Sequence, residues 1–171
     1  MSQDVQVWEP KQIALVSLAK SVTKKQLRFL RDLYCTSRDE EIATVDWPAK
    51  QIKTFLHAQF ELQQKHYTKT YPQSLRQLIH FNGQPIGRLY LNHDQLKQQI
   101  HLIDITILPE YRKLGIGAHL MTNIITQAKA INWQVSLYVS QQKQALSWYK
   151  TMGFKVKSVE NGYHFMTFEP E

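Results

Sequence analysis

Arg112, Lys113, Gly115 and Gly117 lie within six residues of one another, in a run that joins a stretch rich in β-branched residues (101–107) to an amphipathic one (116–130). Two glycines at the entrance to a helix let the backbone come close to a ligand, because no Cβ intervenes and unusual φ values cost little. The first N–H groups of that helix have no partners within it. With the positive end of the helix dipole they suit phosphate oxygens, and two neighbouring cations add to the attraction. A diphosphate-bearing ligand is the first expectation. Spacing disfavours two familiar versions: no Gly-Lys-Ser/Thr follows a phosphate loop, and a dinucleotide-binding turn would need glycine where Leu120 stands.

The run does resemble motif A of the GNAT N-acetyltransferases, Arg/Gln-x-x-Gly-x-Gly/Ala, matched by Arg112, Gly115 and Gly117. The likeness extends upstream through ILPEYR (107–112) and downstream into ALSWYKTMGF (145–154), while GAHLM (117–121) is similar to the histone acetyltransferase members. It covers most of the chain from about Leu75 onward, in the family's order.

This resemblance implies an α/β (α+β) fold, a mixed and mostly antiparallel twisted sheet flanked by helices, with its fourth and fifth strands splayed into an acetyl-CoA cleft. On the same likeness the backbone at Ile105 and Ile107 would pair with pantetheine. The loop and helix start at Arg112, Lys113, Leu114, Gly115, Ile116, Gly117 and Ala118 would hold the pyrophosphate. Tyr149 takes the place of the family's tyrosine beside the cofactor sulfur, where a phenol with pKa near 10 can protonate a thiolate. His101 falls where histone acetyltransferases carry a glutamate, and an imidazole with pKa near 6.5 could take a proton from an amine directly or through water. An ordered water alone is the other candidate base. Gln142 stands where the family often has asparagine. The implied reaction is direct attack of a primary amine on acetyl-CoA, with a small-molecule acceptor favoured. A protein N-terminus, a lysine, an aminoacyl-tRNA, or non-catalytic acyl-CoA binding are the alternatives.

These groups need elements to hold them. A strand is expected over 13–18, and a helix to about Cys35 behind the capping box Thr23-x-x-Gln26, with Ser37 capping a short turn after it. A second helix would start at Asp46-Trp47-Pro48, with Asp46 as its cap, and run to Tyr71-Pro72. The acidic residues Asp39, Glu40, Glu41 and Asp46 between the two helices suggest capping carboxylates or an acidic lip for a cationic amine. Asn82-Gly83 and Asn161-Gly162 mark two hairpins, 75–81 with 86–91 and 154–159 with 163–168. A strand over 135–139 and a helix over 142–152 ending at Gly153 lie between them. Simple alternation along 101–107 puts His101 with Ile103, Ile105 and Ile107 on one face. It puts Asp104, read as a structural carboxylate, on the other with Leu102 and Thr106.

Composition sets outer limits. The 171 residues, 43% hydrophobic and 20% charged, suit one globular domain over 1–171 with 1–10 as an arm. No apolar run of membrane-spanning length and no leader pattern occurs, so a cytoplasmic protein with no membrane partner is expected. Cys35 is the lone cysteine and the seven histidines are dispersed, so neither a disulfide within the chain nor a metal site is expected. The net charge of +7 favours anions, but the basic residues are scattered rather than patched, and nucleic acid is not favoured. The partners expected are acetyl-CoA and a small-molecule or peptide amine, and the family likeness leaves a homodimer open.

Overall fold

The computed structural model describes residues 8–141 and 143–171; the expectations for 1–7 and for Gln142 lie outside them. The chain begins with β1 (Ile13–Ser17), α1 (Lys24–Thr36), the single turn α2 (Asp39–Ile42) and the long α3 (Ala49–Thr70). Strands β2 (Leu75–Phe81), β3 (Gln84–Asp94) and β4 (Gln99–Ile107) follow, then α4 (Ile116–Ala130), β5 (Gln134–Ser140), α5 (Lys143–Thr151), β6 (Lys155–Glu160) and β7 (Tyr163–Phe168). Among the described residues the strands form one sheet in the order β1-β2-β3-β4-β5-β7-β6. Every pairing is antiparallel except β4 with β5.

Local chemistry accounts for most of these boundaries. Thr23 and Gln26 form the expected box at α1: the Thr23 hydroxyl accepts from the Gln26 amide at 3.1 Å and the Gln26 side chain accepts from the Thr23 amide at 2.9 Å. Both Asn-Gly pairs sit at two-residue turns that join directly paired strand ends, Phe81 to Gln84 and Glu160 to Tyr163.

Two expected caps are corrected. Pro48, not Asp46, is the cap residue of α3, and Asp46 is exposed. A residue before proline is pushed out of helical geometry, so Trp47 cannot be the first turn of a helix and the start moves past the proline. Ser37 closes α1 instead of opening α2, its hydroxyl donating to the Tyr34 carbonyl at 2.7 Å.

The sheet is covered on both faces. Leu120, Met121, Ile124 and Ala128 of α4 and Tyr149 of α5 pack with Ile79, Leu89, Leu102, Leu137 and Met166 of the strands. On the opposite face Leu30 and Tyr34 of α1 and Leu56 and Phe60 of α3 close over Leu78.

One irregularity in β4 decides the face on which His101 lies. Tyr90 pairs with Asp104, but its neighbour Leu91 pairs with Leu102, so Ile103 is an extra residue in β4. A bulge of this kind shifts the alternation by one. His101, paired with Asn92, therefore shares the α3 face with Asp104 and Thr106, whereas simple alternation places it opposite them. At the far end of the same ladder, where Gly87 pairs with Ile107, a Cβ on Gly87 would strike the Thr106 carbonyl oxygen.

Candidate active site

Strands β4 and β5 start out paired and then part. Their parallel ladder runs from Gln99–Gln134 to Leu102–Leu137 and stops at the bulge. Beyond it β4 still pairs with β3 as far as Ile107, and β5 with β7 as far as Ser140. Each strand thus keeps one edge satisfied and turns the other, over 103–107 and 138–140, to an open wedge. Unpaired strand edges carry backbone donors and acceptors that require a partner. The wedge is part of a cavity of about 790 Å³ that passes through the sheet. Ala145 and Tyr149 line it from the α5 face, and Gln63, Tyr67 and Tyr71 from the α3 face.

At the C-terminal end of β4 the chain makes a single turn at Pro109–Tyr111 and enters the glycine loop. Lys113 (φ 60°) and Gly115 (φ 84°) both adopt left-handed backbone, and α4 starts at once. The first helical bond is donated by His119 to the Gly115 carbonyl at 3.0 Å, so the amides of Ile116, Gly117 and Ala118 precede the helix's own ladder. Two side chains fix the loop. Arg112 Nε donates to the Ile107 carbonyl at 2.8 Å, and the Trp8 indole donates to the Leu114 carbonyl at 2.6 Å while its ring meets His119 edge-on. Of the described end of the 1–10 arm, Trp8 is thus tied to the loop, while Glu9 and Pro10 are exposed.

Gly117 plays a different part from Gly115. It lies inside α4, and a Cβ there would stand 3.7 Å from the Trp148 ring and 3.8 Å from Ile107, an ordinary contact that faces protein rather than the loop's outer side. Ile105 and Ile107 likewise point their side chains at the core, leaving only backbone for the wedge.

The α3 face of the cavity holds two hydrogen-bonded groups. In the first, His101 Nδ1 lies 2.8 Å from Ser136 Oγ and Nε2 lies 3.1 Å from the Tyr71 hydroxyl, with the Tyr71 ring stacked on the imidazole. In the second, Asp104 receives Arg88 Nε at 3.1 Å and Nη2 at 2.8 Å, the Tyr67 hydroxyl at 2.8 Å and the Thr106 hydroxyl at 2.7 Å. Arg88 is 1% exposed. Its burial opposes the charge, but Asp104 and the Tyr90 and Tyr67 phenols beside it more than offset that, and its pKa is raised. Desolvation first, and then the Asp104 charge, hold the Tyr67 phenol well above its ordinary range. Among the described residues, the α1–α3 connection lends the cavity no acidic side chain. Arg38, bonded to Glu41 at 2.8 Å, supplies the lining there.

A family model described as an acetyltransferase (GNAT) domain matches residues 39–169. The chain belongs to the GNAT acetyltransferase family. It is 22% identical over 95 residues to zebrafish (Danio rerio) N-alpha-acetyltransferase 50, a match that spans 53% of this chain and 56% of that relative's length. Among solved structures it is similar to PaiA N-acetyltransferase from Thermoplasma acidophilum in complex with coenzyme A, at 18% identity and TM-score 0.64 over 92% of this chain and 98% of the other. A GNAT family acetyltransferase from Elizabethkingia anophelis with acetyl-CoA bound aligns over the same shares at 16% identity and TM-score 0.57. Among the described residues of this GNAT protein, no helix is long and apolar enough to cross a membrane.

Within this GNAT fold the sequence-derived candidates fall into two places. Ile105 lines the cavity, Ile107 ends β4, and the run from Arg112 to Ala118 forms the loop and helix start that follow it outside the cavity's lining, while Tyr149 and His101 line the cavity from opposite faces of the sheet. Tyr149 is 8% exposed, packed between Trp148 and Phe154, and burial followed by the Asp104 charge pushes its phenol up to about 12. Tyr67 and Tyr71 belong to no motif, and Tyr71 enters the sequence reading only as the stop of the second helix. Two phenols four residues apart, one in the last turn of α3 and one at its C-cap, were the available signal. Ser136 and Arg88 left no comparable mark.

His101 departs from the ordinary imidazole expected of it. Burial, and then the Lys97 charge, lower its pKa to about 4. The unfolded chain, with an ordinary value near 6.5, binds more protons than the folded one between those limits. Stability from this group is therefore complete above about pH 6.5 and is lost as pH falls towards 4, by about 3 kcal/mol in all. Urea unfolding across that window is expected to show the loss in the parent protein and a flatter profile in His101→Gln. Parallel profiles would mean that the imidazole titrates normally.

Proposed function

We propose that this protein is an acetyl-CoA-dependent N-acetyltransferase that transfers the acetyl group to a primary amine by direct attack. The observation that carries this reading is the wedge itself, with unpaired backbone on both sides and the Tyr149 side chain in its wall, followed in the chain by the unladdered amides at the start of α4. Bound acetyl-CoA would supply a thioester whose carbonyl carbon accepts the amine.

The chain's own groups divide the work as follows. The amides of Leu114, Gly115, Ile116, Gly117 and Ala118 bind pyrophosphate oxygens, with Lys113 nearby and Arg112 clamping the loop to the end of β4. The open edge of β4 around Ile105 and Ile107 orients the pantetheine arm through backbone bonds. Tyr149 holds a proton across the working pH range, because its phenol is shifted upward, and releases it to the departing thiolate. The acceptor enters from the α3 face, past Tyr67 and Tyr71. His101 acts as a positioning residue by fixing the Tyr71 hydroxyl.

Release of free thiol from acetyl-CoA in the presence of a panel of amines and peptides tests this reading. Amine-dependent release with a matching acetylated product supports it; binding without release makes the protein a non-catalytic acyl-CoA-binding domain. Within that assay Tyr149→Phe is expected to lower turnover by roughly 10- to 100-fold with acetyl-CoA affinity nearly intact, the range for a lost general acid. Unchanged turnover would assign the proton to water.

A further inference from the structure

We propose that the acceptor is an α-amine, as at the end of a peptide or on an amino-acid amide, and that the cleft receives it already neutral. This rests on the acetyltransferase reading above and narrows it. An alkylamine such as a lysine side chain, with pKa near 10.4, is neutral in roughly one molecule in 2,500 at pH 7, whereas an α-amine with pKa near 8 is neutral in about one in ten. An enzyme that uses the former well keeps a free proton acceptor within reach of the nitrogen.

The inner part of this cavity has none to spare. Asp104 is its inner carboxylate, and all four of its lone-pair positions are occupied: Oδ1 by Arg88 Nε and the Thr106 hydroxyl, Oδ2 by Arg88 Nη2 and the Tyr67 hydroxyl. A carboxylate saturated in this way and paired with a buried guanidinium is a poor acceptor for a fifth proton donor. His101 is spent at both nitrogens, on Ser136 and Tyr71. The groups packed around it are Tyr71 from the end of α3, Tyr138 and Ser136 from β5 and the Lys97 charge from the β3–β4 turn, with no carboxylate bonded to it to support an imidazolium. Tyr67 and Tyr149 are phenols held protonated by burial. Glu160 and His66 also line the cavity, but both are exposed side chains at its rim.

The reaction closes without a base once the amine arrives neutral. The nitrogen lone pair forms the N–C bond to the acetyl carbon, the C–S bond breaks with its electron pair on sulfur, and the proton that nitrogen sheds replaces the one Tyr149 gives to sulfur. Amine and thioester become amide and thiol, and no net proton acceptor is consumed.

The test compares a lysine-free tripeptide amide, alaninamide, and an N-acetylated tripeptide amide whose free amine is one lysine side chain. Acetylation is followed by mass from pH 6 to 9. The two α-amines are expected to exceed the lysine arm by roughly 200-fold in kcat/KM at pH 7, the ratio of neutral fractions. The pH limb should track each acceptor's own pKa. The ratio between the two α-amine arms then tells a peptide end from a single residue. Lysine turnover within ten-fold of the α-amines, or a limb at one fixed pH for every acceptor, shows a working base and overturns the proposal while leaving the acetyltransferase reading intact. Absence of acetylation and of thiol release in every arm overturns both.

Discussion

Asp104→Ala is expected to lower the unfolding free energy by about 3–5 kcal/mol, the largest single-site effect we foresee on stability. The cost comes from what is left behind. Arg88 is 1% exposed and takes the Asp104 carboxylate on two of its nitrogens, while its Nη1 already lacks a partner. Removing the carboxylate strands a buried cation, and it also frees the Tyr67 and Thr106 hydroxyls that Asp104 accepts from. The pair need not be net stabilising, since replacing both ions by apolar groups is often neutral. The double variant Arg88→Met, Asp104→Leu is accordingly expected to recover most of the loss. Urea denaturation with matched slopes measures both. A cost below about 1 kcal/mol for Asp104→Ala would mean that water reaches Arg88 freely.

Gly117→Val is expected to weaken acetyl-CoA binding by roughly 100-fold or more, with Gly117→Ala close to the parent protein. The contrast follows from geometry. A single Cβ would sit at ordinary contact distance from Trp148 and Ile107, but the γ-methyl groups of valine extend into them and tilt the first turn of α4. Misaligning two amide bonds to a charged phosphate costs about 3 kcal/mol or more, and each 1.4 kcal/mol is tenfold in affinity. Calorimetry on folded variants decides it, and equal affinity in the valine variant would detach the helix start from the ligand.

The features legible in the sequence were those set by short-range chemistry. The glycine loop, the Thr23 box, both Asn-Gly turns and the apolar stripe of α4 depend on residues within a few positions of one another, and each lies where the pattern put it. What stayed hidden was set by long-range contact. Nothing in 101–107 marks Ile103 as the bulged residue, since that register belongs to the pairing with β3. One unread bulge was enough to move His101 to the opposite face. The Arg88–Asp104 pair spans two strands, the Tyr71–His101–Ser136 group spans a helix and two strands, and Trp8 reaches a loop 106 residues away. Burial then changed the chemistry as well as the place, turning an imidazole expected to titrate near neutrality into one that stays uncharged.

Amide hydrogen exchange with and without acetyl-CoA tests most directly whether the wedge between β4 and β5 and the start of α4 form one seat for the cosubstrate. Slowed exchange is expected together at the amides of 103–107 that face away from β3 and at 114–118, where no backbone partner holds them in the free protein, with little change in α1. Binding that leaves both segments unprotected, or that protects a surface elsewhere, would contradict the account.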